Sequence, residues 1–318
     1  MRPMAKRLEW LDCLKAFAIF LVTLGHVFGG LGLSGSTPRN VIYAFHMPLF
    51  FGISGYLAAH ALVNKNGTVA MSSGEACRFA LRKAHSLLLP YVLAPLLLWP
   101  LFYGYISRDG YFAEAARHMF IENTSLWFLP CLFLLMNVFA VVALTRNVLA
   151  RLPLWLLFGG SQLALAVLLV LTHNPFLRSA SSYMLPFAIG AYIAYDTKLI
   201  EICRKPVVLS FAAIVFVLSC AGFVHLAGDQ GVPLCKACRM IAGVSSIPLF
   251  MVAFMAMKTG DFSSYVLAPV GRATLAIYMF QDTPVSCAGL KSMSGGEGGL
   301  VCRRFCCGDC DSRARCGY

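Results

Sequence analysis

An all-α, polytopic bundle of about nine membrane-spanning helices is the fold class that this 318-residue sequence predicts, on three observations. Hydrophobic residues make up 59% of the chain and charged residues 13%, with a mean hydropathy of +0.73, whereas soluble domains carry about 25% charged residues. The charged residues collect between apolar runs of roughly 17 to 25 residues, the length that crosses about 30 Å of hydrocarbon. Basic residues also alternate in density from one connecting segment to the next, as membrane topology requires.

The spans follow in order. The run at 10–30 comes after Arg2, Lys6 and Arg7 and has no small-residue cleavage site behind it, so it is expected to stay as an anchor rather than leave as a signal peptide. Runs at 41–62, 86–106, 126–145 and 153–172 each have the length and apolarity of a span. The run at 181–196 is the shortest, and with Pro186 and Gly190 inside it suits a re-entrant or broken helix as well as a span. Runs at 206–227, 240–257 and 264–281 complete the set.

With the N-terminus inside, the inner segments hold thirteen Lys and Arg residues: Arg2, Lys6, Arg7, Lys65, Arg78, Arg82, Lys83, Arg146, Arg151, Lys198, Arg204, Lys205 and Lys258. The outer segments hold six, Arg39, Arg108, Arg117, Arg178, Lys236 and Arg239. This asymmetry is expected to put the N-terminus in the cytoplasm, and the membrane is expected to be a bacterial-type inner membrane. The formal charge of +12 is then a topology signal, and no nucleic-acid motif accompanies it. There is no Gly-x-Ser-x-Gly elbow, His-Glu-x-x-His, Walker loop or dinucleotide fingerprint, which removes the support for soluble hydrolase, metalloprotease, ATPase and dehydrogenase functions. Cys235 and Cys238 form a C-x-x-C in an expected outer loop, a disulfide or metal pair by spacing, but the two further ligands of a structural zinc are missing and no metal site is expected.

The first span carries the main anomaly. Ionisable groups inside a membrane span are costly and functional by default, and this one holds Asp12, Lys15 and His26. Lys15 and His26 are eleven positions apart, close to three helical turns and about 16 Å of rise, so both leave one face. Asp12 precedes Lys15 by three positions and can pair with it. Such a stripe faces a bundle interior or a hydrated cavity. Interfacial snorkelling of Asp12 and Lys15 around a hydrogen-bonded core His26 is the alternative. In the second span, His46 precedes a segment of aromatic and small residues, with Pro48 two positions on opening backbone groups nearby. Packing and function are both open for His46. Gly52, Ser54 and Gly55 are explained by close helix approach.

At these residues the sequence resembles the acyltransferase 3 family of integral membrane O-acyltransferases. The carrying motifs are Lys15 to His26 with ten residues between, and Phe50-Phe51-Gly52-Ile53-Ser54-Gly55-Tyr56. Leu126-Trp127-Phe128-Leu129-Pro130, Tyr183 through Gly190, and Gly271 through Tyr278 look like later landmarks, particularly of the branch similar to sugar O-acetylases such as fucose 4-O-acetylase. The resemblance covers roughly residues 8 to 281.

What it implies is transfer of an acyl group, usually acetyl, from acyl-CoA as donor substrate to a hydroxyl of a sugar or cell-surface glycan, with no tightly bound cofactor. His26 is then the essential histidine and Lys15 its basic companion, with His46, Arg82 and Trp127 as further matches. Chemistry runs beside the analogy: a neutral histidine with pKa near 7 can remove the proton of a poorly nucleophilic hydroxyl, or it can carry the acyl group covalently. Lys15 is a candidate contact for a coenzyme A phosphate, with Asp12 orienting it. Arg82 and Lys83 offer a second anionic contact, or serve topology and lipid headgroups. Trp127 and Ser54 are candidate substrate contacts. The rival class is a non-enzymatic exporter of a lipid-linked glycan, in which the intramembrane charges line a path.

Two segments are expected: a membrane-embedded domain at 1–281 and a tail at 282–318 with Cys287, Cys302, Cys306, Cys307, Cys310 and Cys316 among Gly, Ser and Arg. The tail reads either as a small metal or disulfide knot or, preferred for lack of paired spacing and apolar core, as an aberrant end. Since the family has about ten spans, the last is expected to be missing and activity impaired, with an inactive relic as the limiting case.

Overall fold

The computed structural model describes residues 8–62, 71–93, 126–149, 152–227, 232–257 and 260–280. These form helices without a strand, and six are long and apolar enough to cross a membrane. The protein is an integral membrane helical bundle. The tail, most of the 86–106 run and the connection before residue 126 lie outside the described residues.

The helices are α1 (Glu9–Gly30), α2 (Thr37–Leu62), α3 (Ser73–Lys83), α4 (Phe128–Val148), α5 (Leu154–Thr172), α6 (Pro175–Tyr195), α7 (Thr197–Cys203), α8 (Pro206–His225), α9 (Pro233–Ala256), α10 (Ala268–Arg272) and α11 (Thr274–Phe280). Short connections reverse the chain between successive long helices. The C-terminal ends of α1, α5 and α8 therefore share one end of the bundle with the N-terminal ends of α2, α6 and α9.

The centre is α2. Its span is 83% buried, against 17% for α5 and for α8, whose apolar faces point outward toward lipid. Three glycines explain how α6 comes so close to it. A Cβ built on Gly190 would lie 1.8 Å from the carbonyl oxygen of Gly52, and one on Gly55 would lie 1.9 Å from that of Phe187. Backbone touches backbone there, the close approach that small residues permit in membranes. On its other side Pro48, inside α2, fits where α9 has Gly243, whose Cβ would stand 2.5 Å from the proline ring.

Four elements differ from the sequence expectation. The short sixth run is neither broken nor re-entrant: α6 is a continuous helix of 21 residues that begins at Pro175, because Pro at the first turn is tolerated and Pro186 is carried within the helix. The eighth span begins at Pro233 rather than 240, which moves Cys235 and Cys238 from a loop onto α9, where both are free thiols and Cys235 is buried. The 264–281 run is not one helix but a π turn at Ser263–Leu267 followed by α10 and α11, separated at Ala273. The third helix starts early, at a Ser72/Glu75 capping box, widens through a π turn at Ala84–Leu88 and continues to residue 93.

The end of the chain's described part is locked to its start. A Cβ on Gly271 would fall 1.8 Å from the carbonyl oxygen of Asp12, so α10 lies directly against α1. The Cys13 thiol donates to the carbonyl of Ser263 at 3.8 Å, and the Ser263 hydroxyl reaches Glu9 at 3.5 Å.

Candidate active site

Lys15 and Asp12 form an ion pair at 2.6 Å, with side-chain exposures of 19% and 7%. Two charges this sheltered need each other, since removal of one partner strands the other. Asp12 also borders a pocket of about 250 Å³ that Glu9, Ser264, Ala268 and Arg272 line with it. The carboxylate thus pairs with Lys15 and shares a pocket with Arg272. The snorkelling alternative loses its basis, because Asp12 is buried under α10 rather than extended to an interface.

Lys15 opens on its other side into a largely apolar cavity of about 150 Å³ between α1, α2, α4 and α11. Ile19 and Val22 continue the lining along α1, Ser54 and Met47 contribute from α2, and Tyr278 closes it from α11. Lys15, Ile19, Val22 and His26 recur at the spacing of one helical face, and the first three of them line this cavity. Val22 lies one turn before His26, and Met47 adjoins His46. Neither histidine is among the lining residues; His26 lies one turn beyond the Val22 end of the α1 wall.

His46 is 4% exposed, and its Nδ1 contacts the Ile42 carbonyl oxygen at 2.7 Å. Against a carbonyl that nitrogen must donate, which in a neutral ring leaves Nε2 as an acceptor. Tyr43 lies against the imidazole with centroids 4.9 Å apart, and the Arg39 guanidinium sits 4.0 Å above the tyrosine ring. Gly25 makes room for this group, because a Cβ there would meet Tyr43 Cε2 at 2.8 Å. Half-buried His26 is nearby on α1, and Arg239 and Arg39 are further basic neighbours of His46. The two histidines predicted from separate spans are thus brought together.

Trp127 stands at the start of α4 and stacks on Tyr183 at 5.5 Å, while Tyr183 stacks on Phe51 at 4.5 Å. The preceding Leu126 has φ of +52°, a left-handed conformation uncommon for leucine and of a kind found where surrounding structure imposes it. Ser54 lines the cavity nearer its Lys15 end. Arg82 is exposed on the last turn of α3, and Lys83 lies 5.5 Å over the Phe79 ring. Burial and the adjacent Arg82 pull the Lys83 ammonium below its ordinary value. Their helix reaches the site only through Leu87, a cavity residue on the π turn.

Sequence reasoning missed Arg239 and the part played by Tyr183. The arginine donates to the Tyr183 hydroxyl at 3.5 Å from within α9. Arg239 counts as an outer-loop charge when the span is begun at 240, seven residues after the helix starts. Pro233 at the first helical position was the available signal.

The sequence model of the acyltransferase 3 family, described as "Acyltransferase domain", matches residues 8–290. Two curated proteins named "Nodulation protein NolL" are similar. The one from Mesorhizobium japonicum is 29% identical over 183 residues, covering 55% of this chain and 44% of that protein. The one from Sinorhizobium fredii is 29% identical over 187 residues, covering 55% and 45%. The chain thus spans less than half the length of the curated relatives it matches. No solved structure matches it.

Proposed function

The chain belongs to the acyltransferase 3 family, and from that premise we propose that it transfers an acyl group, acetyl first among them, from acyl-CoA to a hydroxyl of a sugar or cell-surface glycan at the inner membrane. The observation that carries this reading is a cavity lined by Lys15, Ile19 and Val22 on the face of α1 that continues one turn on to His26, itself a neighbour of His46. An apolar cavity with a cation in its wall, and imidazoles one turn beyond it, suits a thioester arm whose coenzyme carries phosphates.

In this reading the coenzyme enters from the cytoplasmic side, where Lys15 contacts a phosphate, with Arg82 and Lys83 as secondary contacts, and Asp12 holds the lysine in place. His26 removes the proton of the acceptor hydroxyl as its oxygen attacks the thioester carbonyl. The carbon–sulfur bond breaks, and the coenzyme A thiolate recovers the proton from the imidazolium, which restores neutral His26. His46, oriented by its bond to Ile42, supports this exchange. In the covalent variant His26 itself takes the acyl group before the acceptor arrives. Ser54 and Trp127 contact the substrates.

The test is purified protein in nanodiscs with labelled acetyl-CoA and a pool of glycans. The expected result is label in the glycan with matching release of free coenzyme A. Translocation of glycan without acyl loss would replace the enzyme with an exporter. A second expectation concerns Lys15. Lys15→Gln should raise KM for acetyl-CoA about ten-fold, in line with loss of one hydrogen bond to a charged group, and lower kcat less. Lys15→Arg should restore most of the affinity, and an unchanged KM in the glutamine variant would remove Lys15 from the donor site.

A further inference from the structure

The six carboxylates among the described residues, Glu9, Asp12, Glu75, Asp196, Glu201 and Asp261, all sit at the Lys15 end of the bundle: at the start of α1, at the start of α3, around α7 and beside α10. The opposite end has a different character. There Arg239 and Arg39 flank His46 together with His26, so the charged neighbours of that imidazole among the described residues are basic. Arg39 gives Nη1 to the Ser34 carbonyl at 2.9 Å and lays its plane on Tyr43, yet its Nε is buried with no hydrogen-bond partner among the described residues. A buried guanidinium donor without an acceptor is the kind of group a ligand satisfies. Arg239 reaches the same region from α9 and touches Tyr183, which carries Trp127 on its ring.

We propose that the acceptor is an anionic sugar, with its carboxylate or phosphate bound between Arg39 and Arg239 and its ring against the Trp127–Tyr183 pair. Guanidinium groups match both anions in a two-pronged geometry, and aromatic faces are suited to the apolar side of a sugar ring. The arrangement places the bound hydroxyls beside His26 and His46, and it divides the labour of the site: phosphate recognition of the donor at Lys15, charge recognition of the acceptor at the far end. The word acceptor rests on the acyl-transfer reading, whereas the anion site does not. Anion binding without any release of coenzyme A would sink the former and leave the latter.

The experiment is calorimetric titration of the full chain, in zwitterionic nanodiscs, with glucuronic acid, glucose 1-phosphate and glucose. At least one anionic probe is expected to bind ten-fold or more tightly than glucose, and which of the two does so distinguishes a carboxylate from a phosphate source. The preference should fall below three-fold in Arg239→Gln and in Arg39→Gln and return in part in Arg239→Lys. In the wild type it should weaken as salt rises, an arm that needs no variant to fold. Equal binding of all three sugars, binding of none, or a preference that survives both glutamine variants would overturn the proposal. Loss of the preference when phosphatidylglycerol is added to the nanodisc would reassign the site to a lipid headgroup and overturn it as an acceptor site.

Discussion

His26→Ala is expected to lower acyl transfer by at least a hundred-fold while the protein inserts and accumulates as the wild type does. General-base catalysis by a positioned histidine contributes about 10²- to 10⁴-fold, and here no second carboxylate or histidine at the Lys15 end can take over the task, since that end is about 16 Å of helix away. Folding should survive the change, because His26 is only half-buried and the tight contact beside it is made by Gly25 against Tyr43. Release of coenzyme A from labelled acetyl-CoA is the measurement, with fluorescence size exclusion to confirm a monodisperse protein. Turnover at the wild-type rate would refute the role given to His26. His46→Ala is the informative companion: its imidazole is tied to Ile42 of its own helix, so its loss should slow the reaction less than the loss of His26. Acid-quenched label on the protein in a single turnover, absent in His26→Ala, would select the covalent route over direct transfer.

The largest effect on stability is expected from Gly190→Leu. A side chain there meets the carbonyl oxygen of Gly52 at 1.8 Å, and Gly55 faces the Phe187 carbonyl almost as closely. These are backbone atoms, so neither helix can turn a side chain aside. Separation of α2 from α6 is the only relief. Overpacking of a well-filled core costs about 1–3 kcal/mol and sometimes more. Against a total stability of about 5–15 kcal/mol, a clash between two main chains at the most buried helix should leave little folded protein. Thermal unfolding in detergent should show a large loss of stability or no folded peak. Gly160→Leu on the exposed face of α5 is the matched control, since nothing lies within 4 Å of a Cβ there, and it should be tolerated. A Gly190→Leu protein as stable as the wild type would contradict the packing described for α2 and α6.

The membrane bundle was legible because hydrocarbon imposes one length and one polarity on every span, and both are local properties of the sequence. The runs at 10–30, 126–145 and 153–172 agree with α1, α4 and α5 to within a few residues. The misreadings have local causes as well. Lys236 and Arg239 near the start of α9 lowered the apolarity of a helix that Pro233 nevertheless begins. Pro186 and Gly190 resembled a break in α6, although a neighbouring helix rather than a loop accounts for the glycine. The 264–281 run had the apolarity of a span, but its backbone turns at Ala273, where α10 must lie flat on α1 at Asp12.

By itself, the sequence determined that this is a membrane protein, that its first span carries a lysine and a histidine on one face, and that a second histidine lies in the next span. These follow from composition and helical period, which need no partner. Only the tertiary structure decided what that face meets. It made Lys15, Ile19 and Val22 a cavity wall, paired Asp12 with Lys15 beside a pocket shared with Arg272, drew His46 beside His26, and brought Arg39, Arg239 and Tyr183 to the same end. Such groupings join helices far apart in the chain, and they depend on how closely α2, α6 and α9 approach one another at their glycines.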